Sequence, residues 1–194
     1  MIRRISQLCK TFSNSISSKS IFDSSMAHFD IRTEQCPCCK SIGNCIKHAY
    51  YHRHLLDSAD ASSVRILRVI CKSCNHTHAI LPDCIIPYRS YSLRFFLSVF
   101  ADFYLHKFSI SSICRKYLIS WQLFKKWESL FLLHKSAFLG KLADMSTSIC
   151  DFISNHIFNG VLSNFLCEFF MLTTRSFLQN HKELNAVSIR RYSG

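Results

Sequence analysis

The sequence predicts an α+β chain: a few strands pinned by a metal ion, then an all-helical bundle. Three observations point there. First, Cys36 and Cys39 form one C-x-x-C, Cys71 and Cys74 form another, and the stretch between them has room for two strands. Each pair fits a tight turn that aims two thiolates at one point, and two such turns close a tetrahedral four-sulfur site. Second, residues 30–90 hold all three prolines and most of the strand-like sequence. Third, from Ser90 onward there is no proline, glycine occurs only at 140, 160 and 194, and apolar residues recur at helical spacing. The expected architecture is a small zinc ribbon followed by a bundle that contains a helix-turn-helix. A shell closed by Cys36, Cys39, Cys71 and Cys74 makes Zn2+ the expected cofactor in a structural role, because it leaves no position for water or substrate.

The elements follow in chain order. Residues 1–29 are a Ser-rich leader expected to be poorly ordered. Residues 1–22 of it carry Arg3, Arg4, Lys10 and Lys19 without an acid, a composition shared by organellar transit peptides and plain basic leaders. The ribbon occupies residues 30–90. Cys45 to His54 reads as the strand leaving the first turn, and Val64 to Ile70 as the strand entering the second. Ala79-Ile80-Leu81 leads away and pairs back, and Pro82 and Pro87 bracket the exit. Periodicity then predicts helices near 91–107, 110–118, 121–138, 142–158 and 161–178 within a bundle spanning 91–181. Residues 182–194 form a polar, basic tail.

Residues 109–130 carry the helix-turn-helix pattern. Ile113 and Cys114 supply the apolar and small pair of the first helix, Tyr117 and Ile119 flank the turn, and Phe124 and Trp127 face inward on the second helix. Ser120 is placed to N-cap that second helix. Arg115, Lys116, Trp121, Gln122, Lys125 and Lys126 are left outward as candidate nucleic-acid contacts, the cations for phosphates and Gln122 for an adenine edge. Leu118 stands where such turns usually have Gly. A branched side chain there is strained by about 1 kcal/mol at positive φ, which points to a longer turn. The alternative is an amphipathic helix pair whose lysines are a solvated face.

Bulk composition narrows the function classes. The 194-residue chain is 48% hydrophobic and carries a formal charge of +12, an excess that suits a polyanionic partner such as double-stranded DNA. Between Pro87 and Lys141 nine lysines and arginines face two acids. The apolar stretches 93–105 and 161–172 are short and interrupted by charged or polar residues, so no membrane partner is expected. Eleven cysteines is an odd number, which suits a reducing cytoplasm rather than a disulfide framework. Twelve acids with no strand-borne pair argue against a metal-dependent nuclease, and neither C-x-x-C sits in the βαβ setting of a thioredoxin-like site. The expectation is a non-enzymatic protein. His76, His78, Cys38 and Cys45 stand as substitute zinc ligands. The aromatic C-terminal helices, with Phe152, Phe158, Phe165, Phe169 and Phe170, stand as a surface for a partner or a second copy.

Three runs carry a family resemblance: Cys36-Pro37-Cys38-Cys39, His48-Ala49-Tyr50-Tyr51-His52-Arg53, and Arg68-Val69-Ile70-Cys71-Lys72-Ser73-Cys74. They resemble the zinc-binding front end of bacterial insertion-sequence transposases. With Thr77 to Asp83 and Pro87-Tyr88-Arg89 added, residues 35–130 more closely resemble an uncharacterised bacterial family, domain-of-unknown-function family 6431. The resemblance implies a zinc ribbon joined to a helix-turn-helix and associated with mobile elements. The expected function is therefore a zinc-binding, DNA-binding accessory factor or transcriptional regulator. The alternative is a zinc-stabilised protein–protein interaction module.

Overall fold

A computed structural model describes residues 2–4, 17–27, 29–57, 61–141, 147–158 and 162–179. A three-stranded antiparallel sheet is built from β2 (Cys45–Leu56), β3 (Ala61–Cys71) and β4 (Thr77–Pro82), in the order β2-β3-β4. A short β1 (Ile2–Arg4) lies parallel on the free edge of β4, with Ile2 opposite Ile80. The three expected strands are all present, each longer than its apolar kernel. β2 and β3 pair along their whole length, from Cys45 opposite Cys71 to Leu56 opposite Ala61, with a bulge between Lys47 and Ala49. That register carries the end of β3 back to the first C-x-x-C.

Alternate positions of β3 serve two separate cores, as the period of two requires. Leu67, Val69 and Cys71 pack with Cys36, Cys45 and Ile80, whereas Val64 and Ile66 pack with Phe22, Leu55, Leu81, Cys84 and Ile85. Phe22 belongs to α1 (Ser18–Ala27), a helix inside the stretch assigned to a poorly ordered leader. Its serines hide a short apolar face: Ile21, Phe22 and Met26 lie against the sheet, and the Asp57 carboxylate accepts from the Ser18 backbone N–H at 2.9 Å. The expectation of disorder is thereby corrected for residues 18–27; residues 5–16 lie outside the described residues.

The helical half comprises α2 (Leu93–Tyr104), α3 (Ile110–Tyr117), α4 (Trp121–Lys141), α5 (Ile149–Phe152) and α6 (Leu162–Thr173). α5 continues as a π-helical segment, Ile153–Phe158. Serine caps recur at the helix starts. Ser92, Ser109 and Ser148 cap α2, α3 and α5, and the Ser120 hydroxyl accepts from Leu123 N–H at the start of α4. Ser92 also donates to Asp57 at 2.7 Å, tying the first helix to the end of β2. Trp127 is fully buried at the centre, 4.1 Å from the Phe96 ring and 4.8 Å from Tyr91.

Two expectations change. The turn between α3 and α4 is short, not long: Leu118 takes the left-handed conformation (φ 52°, ψ 42°) and its N–H closes on Cys114 O. The side chain is 90% exposed, so the strain is confined to the backbone and crowds no neighbour. Secondly, Phe152, Phe165 and Phe169 are buried in this chain's own core, with Phe177 folding back among them. They are therefore not free to form a docking surface, and Phe170 is only partly exposed. The Phe158 side chain and the basic tail lie outside the described residues. No described helix is long and apolar enough to cross a membrane.

Candidate metal centre

The two C-x-x-C segments adopt the same backbone turn. In the first, Lys40 N–H donates to Cys36 O and Cys36 N–H donates to Ser41 O, both at 2.9 Å. In the second, Asn75 N–H donates to Cys71 O at 2.8 Å and Cys71 N–H to His76 O at 3.0 Å. Lys40 (φ 64°) and Asn75 (φ 60°) both turn left-handed one residue after the second cysteine. Two copies of one knuckle thus face each other, joined through β2 and β3, and Lys72 N–H donates across to Asn44 O at 2.9 Å.

The knuckles bring Cys36, Cys39, Cys71 and Cys74 together, with all four Sγ atoms within 4.8 Å of one another. Cys36 and Cys74 sulfurs are 3.7 Å apart, and Cys39 and Cys71 are 3.6 Å apart. A tetrahedral shell with metal–sulfur bonds of about 2.3 Å has edges of about 3.8 Å, so these separations suit a four-thiolate metal site. Four thiolates this close repel one another, and a bound dication offsets that repulsion. The imbalance is visible in their acidities. The Ser41 hydroxyl, helped by Cys74 and Ser73 N–H groups, pulls Cys71 down to about 5 against burial. Cys39 is lowered mainly by the Ser41 hydroxyl and backbone. For Cys74, the His76 backbone N–H lowers the value, yet burial and the neighbouring thiols push it up to about 12.

Two further side chains complete the surround. Ser41 Oγ lies 3.1 Å from Cys39 Sγ and 3.4 Å from Cys71 Sγ. His78 is buried with Nε2 3.3 Å from Cys36 Sγ, and its own burial favours the neutral ring, so it is a neighbour able to donate to that sulfur. Neither role was evident in the sequence, although Ser41 and His76 occupy equivalent positions two residues after each knuckle. Of the substitute ligands, Cys45 is buried opposite Cys71 but burial raises its thiol to about 11. Cys38 and His76 are exposed beside Cys74 as a second, three-residue grouping. His76 Nδ1 lies 2.9 Å from Cys74 O. His48, His52 and His54 lie along exposed β2, away from the cluster.

The six residues of the α3–α4 pair divide into two groups. Arg115, Trp121, Gln122 and Lys126 are exposed. Lys116, by contrast, sits 2.5 Å from Asp102, which also accepts from Tyr117 at 2.9 Å and binds His106 at 2.9 Å. Lys125 pairs with Glu128 at 2.7 Å. Asp102 is buried on α2, and burial would raise its pKa, but these three donors outweigh that and hold it below the ordinary value. It is the hub that locks α2 to α3.

No curated protein and no solved structure matches the chain. Residues 25–115, which take in both knuckles, the three-stranded sheet, α2 and most of α3, match the family described as Domain of unknown function (DUF6431).

Proposed function

We propose that the protein binds zinc at Cys36, Cys39, Cys71 and Cys74 and uses the α3–α4 pair as a helix-turn-helix on double-stranded DNA, as a mobile-element-associated accessory factor or transcriptional regulator. The observation that carries the DNA reading is the α3–turn–α4 unit itself. A short turn is closed by left-handed Leu118, Ser120 starts the second helix, and Trp121, Gln122 and Lys126 are exposed on its first turns. Zinc pins the sheet, and binding of this kind contributes on the order of 10 kcal/mol to folding of a small metal module. A closed thiolate shell gives the metal no open position for chemistry. Lys126 and Arg115, which have no carboxylate partner among the described residues, are the cations suited to phosphates, and Gln122 to an adenine edge. Lys116 and Lys125 already have carboxylate partners and contribute less.

The test is binding of the zinc-loaded chain to random-sequence duplex at several salt concentrations, with metal assayed on the same sample. Steeply salt-dependent binding with one zinc per chain is expected. Lys126→Ala should weaken binding to all sequences and lower the salt slope by about one counterion, with Lys125→Ala changing it less. An unchanged slope in Lys126→Ala removes that residue from the interface. The second reading, a zinc-stabilised interaction module, is favoured by the apolar pair Leu118 and Trp121, which are 90% and 56% exposed at the turn. Absence of duplex binding at low salt would select it.

A further inference from the structure

We propose that the groove between the sheet and the Pro87–Tyr88 loop is a site for one unpaired nucleotide, with its phosphate on Arg68 and its base against Tyr88 and Tyr51. The groove has a volume of about 420 Å³, within the range of about 300–1,000 Å³ typical of small-molecule pockets. Among the described residues that line it, Arg53, Arg68, Tyr51 and Tyr88 join Ala79 and Leu81, and none is a carboxylate. Nothing in this argument uses α4, so the site stands apart from the duplex face proposed above.

The loop that forms one wall is held in an unfavourable shape. Arg53 on β2 is half-buried and donates to Ile86 O at 2.6 Å and to Arg89 O, the carbonyls on either side of Pro87-Tyr88. Between them Tyr88 takes φ 60°, with its side chain 87% exposed. A bulky residue in the left-handed region costs about 1–2 kcal/mol, and an exposed ring recovers none of that by packing. Strain that the surroundings enforce in this way collects at binding sites. Arg68 on β3 donates to Thr77 Oγ1 at 2.8 Å, which fixes a planar guanidinium whose remaining donors suit a phosphate. Aromatic faces beside a fixed guanidinium, without acids, are the chemistry of a stacked base and its phosphate. An acidic peptide would use the arginines but would have no use for two phenol rings.

The test uses the full metal-loaded chain, a fluorescent oligo-dT 12-mer, a hairpin duplex, and free AMP and inorganic phosphate as competitors. Tyr88→Ala should weaken oligo-dT binding by about tenfold, a typical value for one base–aromatic stack. Tyr88→Phe should retain it, and duplex affinity should be unchanged in both. Arg68→Ala should weaken oligo-dT binding and reduce its salt dependence. AMP should displace the oligonucleotide at a concentration at least tenfold below that of phosphate. Wild-type affinity of Tyr88→Ala for oligo-dT, an equal loss on duplex, equal competition by AMP and phosphate, or no oligo-dT binding by the wild type would each overturn the assignment. Duplex binding lost through Lys126→Ala with oligo-dT binding intact separates this site from the α4 interface.

Discussion

Among the described residues the sheet buries two small clusters, six and seven apolar residues, while the helical half closes around twenty-four. The smaller sheet cluster includes Cys36, Cys45 and Cys71, so its centre consists largely of the metal knuckles themselves. The helical cluster includes ten buried phenylalanines from α2 to the Phe177 segment, packed ring against ring with Trp127 among them. The difference teaches where each half gets its stability. One is centred on four sulfurs placed to hold a cation, the other on aromatic area removed from water.

The largest expected effect comes from breaking the metal shell. Cys71→Ser, or chelation of the wild type, should release the metal and unfold the sheet, because on the order of 10 kcal/mol of binding energy is coupled to folding of such a module. Hydrogen exchange should show β2, β3 and β4 amides losing protection while α2 and α4 keep theirs. Simultaneous loss in both halves would mean that the Ser92–Asp57 and Arg53–loop ties make one cooperative unit.

The converse variant is Trp127→Ala. Removing a fully buried indole from contact with Phe96, Phe95 and Tyr91 should destabilise the helical half by about 3–5 kcal/mol. Metal stoichiometry should stay unchanged. Metal loss alongside helix melting would again argue for one unit.

How much of this was legible in the sequence follows the same division. Cys36, Cys39, Cys71 and Cys74 declared the metal centre, because C-x-x-C spacing encodes a turn as well as a ligand set. The helices announced themselves through period, and α4 also through Ser120 at its start. Contacts that depend on three-dimensional neighbours stayed hidden. Ser41 and His78 reach the sulfurs only after β2 and β3 have paired, and Phe22 was masked by the serines around it. The Asp102 hub gave no sequence signal, because Lys116 and Tyr117 lie a full helix away in sequence. The aromatic C-terminus read as a surface because periodicity cannot say which face meets which.

Asp102 gives the next effect in size. Asp102→Asn removes the charge and one of the two acceptor oxygens that Lys116, Tyr117 and His106 share, and should cost about 1–3 kcal/mol in the helical half. The sign with pH is fixed by the direction of its shift. A carboxylate held below its ordinary value stabilises the fold fully above the unfolded value of about 4 and loses that contribution as pH falls through the lower folded value. Acid titration followed by near-ultraviolet circular dichroism should show this loss in the wild type and a flatter response in Asp102→Asn. Parallel curves would show that the Asp102 hub adds nothing.

The smallest effect tests the turn that makes α3 and α4 a pair. Leu118 holds φ 52° at a position where glycine suffers no Cβ penalty, and its side chain packs on nothing. Leu118→Gly removes left-handed strain of about 1–2 kcal/mol, offset by about 0.5–1 kcal/mol of extra chain entropy in the unfolded state. The expected net is a gain of up to about 1.5 kcal/mol in the helical half, with the sheet and its cysteine cluster unaffected. A gain in stability on this substitution would show that the leucine side chain does not serve the fold. Duplex affinity measured on the same variant shows whether it serves binding. Unchanged binding leaves Leu118 a bystander of the proposed duplex interface. A drop with intact melting behaviour places the turn in the interface beside Trp121, where an apolar side chain meets sugar or a thymine methyl.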